Sequence, residues 1–172
     1  MRAGPALIVA LALCVTPAVA QGKTKVPQGV RALEMCEAFG SGGASALDGA
    51  IAAGWDAFED EAESPFIKSY SGGKDLPGIG YADFFALVES YPELELGYCR
   101  IDVVEVTGDA TEQVQAIQSL DRYEGDSIEN GDGIFASLAG KADDTRLLMA
   151  HADETSFVIQ LSIIASRAET AK

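Results

Sequence analysis

Residues 94–106, LELGYCRIDVVEV, decide the fold because they combine strand periodicity with a cysteine. Apolar residues alternate with polar or small ones up to Tyr98, and from Cys99 onward the apolar residues continue at the opposite parity. Such alternation is the pattern of a half-buried β-strand. A change of parity inside one strand predicts a β-bulge, which we place beside Gly97. The strand then points Cys99 into the core.

A second cysteine, Cys36, lies in a stretch with helical spacing. Leu33, Cys36 and Phe39 recur every three residues, which predicts a helix over residues 30–39. Two thiols in an exported chain most simply form one disulfide, whereas redox chemistry normally uses a Cys-x-x-Cys pair. A bond between Cys36 and Cys99 closes a loop of about 64 residues and contributes about 4 kcal/mol by chain entropy. We therefore predict a disulfide that ties the first helix to the sheet.

The rest of the chain places helices early and strands late. The sequence predicts helices over 45–53, 81–91 and 110–120, strands over 134–138, 145–152 and 156–166, and irregular chain over 64–80 and 121–133. This order predicts an α+β fold, with N-terminal helices packed on one face of a mainly antiparallel sheet of about four strands.

Residues 1–20 have the three parts of a secretory signal peptide. Arg2 supplies a positive charge, an apolar stretch follows, and residues 18–20, Ala-Val-Ala, form a small-residue cleavage site. The apolar stretch, about ten residues, is too short to span a bilayer. We therefore predict Sec-type export, cleavage after Ala20, and a periplasmic or extracellular location.

The chain that remains after cleavage is strongly acidic. The full sequence carries 12 Lys and Arg against 27 Asp and Glu, and loss of Arg2 with the signal leaves a formal charge of −16. Nucleic acids and anionic lipids bind through Lys and Arg clusters, which are missing here. We therefore expect no nucleic-acid partner, no membrane span in the mature form and no cofactor, and we favour a basic protein or a cation as partner.

One domain accounts for the mature length, because a chain of about 150 residues suits a single core. The predicted organisation is a flexible leader over 21–29, a single α+β domain over 30–167 and a frayed tail over 168–172. The oligomeric state is left open.

The tetrapeptide GDSI at residues 125–128 resembles the nucleophile block of GDSL-type esterases, which implies a catalytic Ser127. That family also uses an Asp-x-x-His block, whereas the sole histidine, His151, has Leu148 three residues before it. A serine hydroxyl without a neighbouring base is a poor nucleophile. We assign no catalytic residue, and a small secreted hydrolase using Ser127 or a carboxylate pair stays an alternative function.

Oxygen ligands occur in the predicted loop over 121–133. Asp126, Glu129 and Asp132 can bind a cation weakly, although the Asp-x-Asp-x-Asp-Gly spacing of a calcium loop and its closing glutamate are missing. One histidine and two distant cysteines do not predict a transition-metal site. The sequence therefore predicts weak cation binding and no structural metal.

Aromatic residues are concentrated around the acidic, glycine-rich region 55–81. Trp55, Phe66, Tyr70 and Tyr81 flank or occupy it. Aromatic side chains ringed by charge are typical of protein-binding surfaces, and the alternative is that they belong to the core. We therefore predict a non-enzymatic exported protein that binds a basic protein partner or a cation through this region. An accessory structural subunit of an envelope complex is a further alternative.

Overall fold

The computed structural model describes residues 25–61, 64, 67–141 and 145–166. The helices are α1 (Gln28–Gly40), α2 (Ala46–Ala52) and α3 (Thr111–Gln118), and the strands are β1 (Asp56–Glu59), β2 (Ile67–Leu76), β3 (Gly80–Ser90), β4 (Leu94–Val103), β5 (Tyr123–Asn130), β6 (Gly133–Gly140), β7 (Thr145–Ala152) and β8 (Phe157–Ser166). The predicted signal peptide and the predicted tail over 168–172 lie outside the described residues.

All eight strands belong to one antiparallel sheet, in the order β1-β2-β3-β4-β8-β7-β6-β5. The prediction of about four strands is therefore wrong. Each half of the chain is a helical segment followed by four consecutive strands, and the last strands of the two halves, β4 and β8, pair along their whole length in the middle of the sheet. A twofold rotation through that pair relates the topology of the two halves, although the sequence shows no repeat.

The strand β2 occupies the segment 64–80 that the sequence predicts as irregular. Its two central glycines lie against close neighbours: a Cβ at Gly72 would overlap the backbone carbonyl oxygen of Asp56 and the ring of Phe84, and one at Gly73 would meet the hydroxyl end of Tyr81. A glycine inside a strand marks such a close approach as readily as a turn. Sequence analysis takes the two glycines as a sign of irregular chain and therefore does not identify this strand.

The strand β3 replaces the helix predicted over 81–91. Phe84 and Val88 are buried, whereas Phe85 and Leu87 point to the other side of the sheet. Apolar residues on both sides of a strand remove the alternation that identifies it, so the spacing imitates a helix. In β5, which replaces the polar loop predicted over 121–133, only one side chain is fully buried.

The strand β4 is regular, and the bulge predicted beside Gly97 is absent from this fully described strand. Its pairing with β3 and with β8 continues without interruption. Cys99 and Ile101 are buried on one side, while Leu96 and Tyr98 lie half-buried on the other. The change of parity therefore marks a strand with apolar residues on both sides.

The three helices lie on one side of the sheet, which we call the covered face. The predicted disulfide is confirmed: Cys36 on α1 is bonded to Cys99 on β4, and their Cα atoms are 5.3 Å apart. Close approach of helix and sheet requires Gly97, because a Cβ there would overlap the carbonyl oxygen of Gly40 at the end of α1. On the other half of the sheet α3 buries Ile117. The core thus forms one layer between helices and sheet.

None of the helices in the described part of the chain has the length and apolar composition needed to cross a bilayer. The longest, α1, has 13 residues, whereas a spanning helix needs about 20.

Candidate functional site

No described helix packs on the opposite side of the sheet, which we call the open face. The strand register fixes which side chains lie on it, because alternate residues point to opposite sides. One row across all eight strands, from β1 to β5, consists of Phe58, Ser71, Phe85, Arg100, Gln160, Met149, Ser137 and Asp126. The open face is therefore a continuous surface eight strands wide.

Exposed hydrophobic side chains are concentrated on the open face. Twelve large hydrophobic residues are exposed in the described part of the chain, and the strands direct eight of them to this side: Phe58, Tyr81, Phe85, Leu94, Ile128, Phe135, Leu147 and Ile164. Exposed hydrophobic side chains concentrated on one side of a sheet are a feature of interaction surfaces. The open face is therefore the candidate functional site.

Carboxylates are interspersed with these hydrophobic residues. Seven acidic residues of the described strands point to the open face: Asp56, Asp75, Asp83, Glu89, Asp102, Glu124 and Asp126. Among the same strands, Arg100 is the one lysine or arginine on this side. The open face therefore carries a net negative charge.

The charge of Arg100 is already matched by a neighbour. Its Nε and one terminal nitrogen donate to the two carboxylate oxygens of Asp102, each at 2.7 Å, and the other terminal nitrogen donates to Gln160 Oε1 at 3.0 Å. The hydrogen bonds to Asp102 raise the pKa of Arg100. This guanidinium is therefore already paired with a carboxylate and adds little attraction for an anion.

A pocket of about 590 Å³ lies at the end of the open face, between the β5–β6 turn and the β7–β8 turn. Ile128 and Phe135, which are cross-strand partners on β5 and β6, form its apolar wall. His151, the partner of Phe135 on β7, lies beside them. Asp132 and Glu154, one in each turn, are exposed at the mouth. We call this shallow, open pocket the end pocket.

His151 is fixed in the end pocket by two contacts. Its Nδ1 lies 3.1 Å from the carbonyl oxygen of Ile134, and its Nε2 lies 3.1 Å from Asp153 Oδ2. A carbonyl and an ionised carboxylate can only accept hydrogen bonds, so the neutral ring donates to one of them and the protonated ring donates to both. The sequence places this histidine in a strand, but it does not reveal either partner.

Asp153 organises the β7–β8 turn. Its Oδ1 accepts hydrogen bonds from the backbone N–H groups of Thr155 and Ser156, each at 2.8 Å, and from both of their hydroxyl groups. The N–H and hydroxyl of Thr155 hold the pKa of Asp153 below its usual value, and His151 adds to this effect. Both oxygens of this carboxylate are thus occupied by the protein itself.

The aromatic residues predicted as a binding cluster lie in different environments. Trp55 is 5 % exposed and belongs to the core. Tyr70 is half-buried on the covered face, where its ring lies 4.9 Å from that of Phe39. Tyr81 is exposed on the open face, and Phe66 lies outside the described residues. Of the described members of this group, Tyr81 is therefore the one that the structure places on the open face.

The predicted cation ligands point in different directions. Asp126 points to the open face, Glu129 points to the opposite side of the same strand, and Asp132 lies in the following turn. In the described part of the chain, no group of three or more His, Cys, Asp or Glu residues is arranged to hold a metal ion.

Ser127 and His151 lie on opposite sides of the sheet. Ser127 is the cross-strand partner of Ala136, which is buried under the helices, whereas His151 is the partner of Phe135 on the open face. A serine nucleophile needs a base within hydrogen-bonding distance. The structure does not bring the two residues of the esterase-like interpretation together.

Comparison with known proteins finds no match: no family model, curated protein or solved structure is similar to this chain. The features of the molecule that bear on its function are therefore the open face, its charge and the end pocket.

Proposed function

We propose that this chain is an exported, non-enzymatic binding protein that holds a basic segment of another polypeptide on its open face. The observation that carries the proposal is the concentration of eight exposed large hydrophobic side chains on the side of the sheet that no described helix covers. Apolar residues of the partner would pack on these side chains. Its lysines and arginines would face the carboxylates among them, of which all but Asp102 lack a pairing with Arg100.

The charge of the chain favours a basic partner over a second copy of itself. The sequence has a formal charge of −15, and two open faces in contact would oppose seven carboxylates with seven more. Like charges brought together at an interface are unfavourable, whereas complementary charge speeds association and selects the partner. Nucleic acid and anionic lipid are disfavoured for the same reason.

Export is the second part of the proposal. A disulfide persists in oxidising compartments and is rare in the cytosol, so the bond between Cys36 and Cys99 supports a periplasmic or extracellular site of action. Mass spectrometry of the protein from periplasm or culture fluid should show an N-terminus at Gln21 and an oxidised cysteine pair. Both thiols free in that material would contradict export as proposed.

Peptide binding tests the open face directly. The probe is a labelled peptide of alternating lysine and leucine, and the charge control is the matching glutamate–leucine peptide. We expect the lysine peptide to bind, and to bind more weakly as salt is raised, because screening weakens exposed charge pairs. The glutamate peptide should not bind.

A matched pair of variants locates the binding. Leu147 on the open face and Ile51 on α2 have similar exposure, 54 % and 51 %. Leu147→Ser should weaken lysine-peptide binding by about fivefold, a loss of apolar contact worth about 1 kcal/mol. Ile51→Ser should leave it unchanged.

Three results would overturn the proposal. These are equal binding of the two peptides, equal losses in Leu147→Ser and Ile51→Ser, and a stable dimer of the chain alone that Leu147→Ser dissociates. In the last case a second copy occupies the open face, and sedimentation velocity would show it.

A further inference from the structure

The end pocket has the walls and the charge to receive one kind of side chain. We infer that it takes the long cationic side chain of a lysine or an arginine. This inference rests on the proposed function, because it names the part of the basic segment that this end of the open face recognises.

The wall suits a chain of methylene groups. Ile128 and Phe135 are both exposed and lie side by side across β5 and β6. Lysine and arginine lay their methylene stems along apolar surface and keep the charged group in water. The face of an aromatic ring such as that of Phe135 also attracts a cation. The wall therefore accommodates the stem and favours a positive end group.

The mouth carries the complementary charge. Apart from His151, the charged residues that line the pocket are all acidic: Asp132, Asp153 and Glu154. The oxygens of Asp153 are occupied by His151, Thr155 and Ser156. The carboxylates of Asp132 and Glu154 are exposed on the two turns that flank the opening. Among the acidic residues that line the pocket, these two can therefore pair with a cationic end group.

Other ligands fit this pocket less well. An anion would meet the carboxylates at the mouth. An uncharged apolar side chain would displace water from those carboxylates without replacing its hydrogen bonds, which costs free energy. Lysine and norleucine have stems of similar length and differ in the charged end, so their comparison isolates the contribution of the charge.

Two small compounds serve as probes, N-acetyl-lysine N-methylamide and N-acetyl-norleucine N-methylamide. Each is titrated into the oxidised protein, and the backbone amide signals of Phe135, His151 and Thr155 are followed by NMR. We expect the lysine compound to shift these signals and to bind about tenfold more tightly than the norleucine compound.

Matched double variants assign the charge effect. Asp132→Asn with Glu154→Gln should abolish the preference for lysine. Asp48→Asn with Asp121→Asn changes the net charge equally, at exposed positions that do not line the pocket, and should retain the preference. Phe135→Ala should weaken the binding of both compounds, because it removes the shared apolar wall.

Three results would each overturn the inference. The first is equal binding of the lysine and norleucine compounds. The second is that the lysine compound shifts amide signals elsewhere and not those of Phe135, His151 and Thr155, and the third is an equal effect of the two double variants. The proposed function survives these results if the lysine–leucine peptide still binds wild type and is weakened by Leu147→Ser. If that peptide does not bind wild type, the proposed function fails, and the inference fails with it.

Discussion

The covered face and the open face are made by the same strands and contain similar residues, but their environments differ. Phe84 and Phe85 are neighbours in β3, and they are 4 % and 43 % exposed. Ile163 and Ile164 in β8 differ in the same way. The difference is the helices of the described residues, all three of which lie on the covered face. Apolar residues on the covered face therefore contribute to stability, whereas those on the open face leave surface for a partner.

The largest expected effect is on the contact that places α1 on the covered face. Gly97→Ala puts a methyl group into the backbone of Gly40, where no side chain can move aside. We expect a loss of at least about 4 kcal/mol in unfolding free energy, or failure to fold, as for other severe overpacking. Gly49→Ala is the control, because a Cβ there meets nothing within 4 Å and alanine favours a helix. Denaturant unfolding measures both, and a mild effect of Gly97→Ala would contradict the close approach.

The second effect concerns the disulfide between the same two elements. The double variant Cys36→Ala with Cys99→Ala opens a loop with a sequence separation of 63 residues. The unfolding free energy should fall by about 4 kcal/mol, from the gain in entropy of the unfolded chain. Reduced wild-type protein should show a similar loss. If reduction leaves the midpoint of unfolding unchanged, the bond does not constrain the chain as described.

The covered face could be predicted from the sequence because its residues follow simple periodic rules. The three-residue spacing around Cys36 predicts α1, and the parity of Cys99 directs its side chain toward that helix. The first step uses one apolar side and one polar side, which is the condition under which periodicity identifies an element. The second step uses only the part of β4 from Cys99 onward, where apolar residues alternate with Arg100 and Asp102. The disulfide prediction is confirmed for this reason.

The open face could not be predicted in the same way, because a second apolar side removes the signal. Because Phe85 follows Phe84, the apolar spacing of β3 is that of a helix. Because Leu96 and Tyr98 are apolar at the opposite parity from Cys99, the sequence of β4 wrongly predicts a bulge. The pairing of Ile128 with Phe135 depends on β5, whose polar residues and glycine predict a loop. Apolar residues at both parities of a strand were the one usable sign of a two-sided sheet.

A smaller effect compares the two faces with the same residue type. Leu161 is 0 % exposed on the covered side of β8, and Leu147 is exposed on the open side of β7. Leu161→Ala should cost about 3 kcal/mol, from lost transfer free energy and a cavity. Leu147→Ala should cost about 0.5 kcal/mol, as at other surface positions.

Equal costs in the two variants would break the comparison. Such a result would mean that Leu147 is buried in solution, so that the open face is occupied in the isolated protein. Repeating the unfolding at several protein concentrations then identifies a second copy as the occupant, because only an oligomer has a concentration-dependent stability.

The smallest expected effect lies in the turn beside the end pocket and depends on pH. The pKa of Asp153 is lower in the folded protein than its ordinary value of 3.8, because Thr155 donates its N–H and hydroxyl to the carboxylate. A group with a depressed folded pKa stabilises the folded state above its unfolded pKa and loses that contribution as the pH falls. The stability difference between wild type and Asp153→Asn should therefore shrink as the pH is lowered from about 5 to about 2.

Thr155→Val sharpens this prediction, because it removes the hydroxyl donor and keeps the N–H that is the larger cause of the shift. In this variant the pKa of Asp153 should lie between its pKa in wild type and that of an unfolded aspartate. The NMR signal of the Asp153 carboxyl carbon, followed as a function of pH, measures it. A difference between wild type and Asp153→Asn that grows with acidification would contradict the sign. The turn would then be held by contacts other than those of this carboxylate with Thr155 and Ser156.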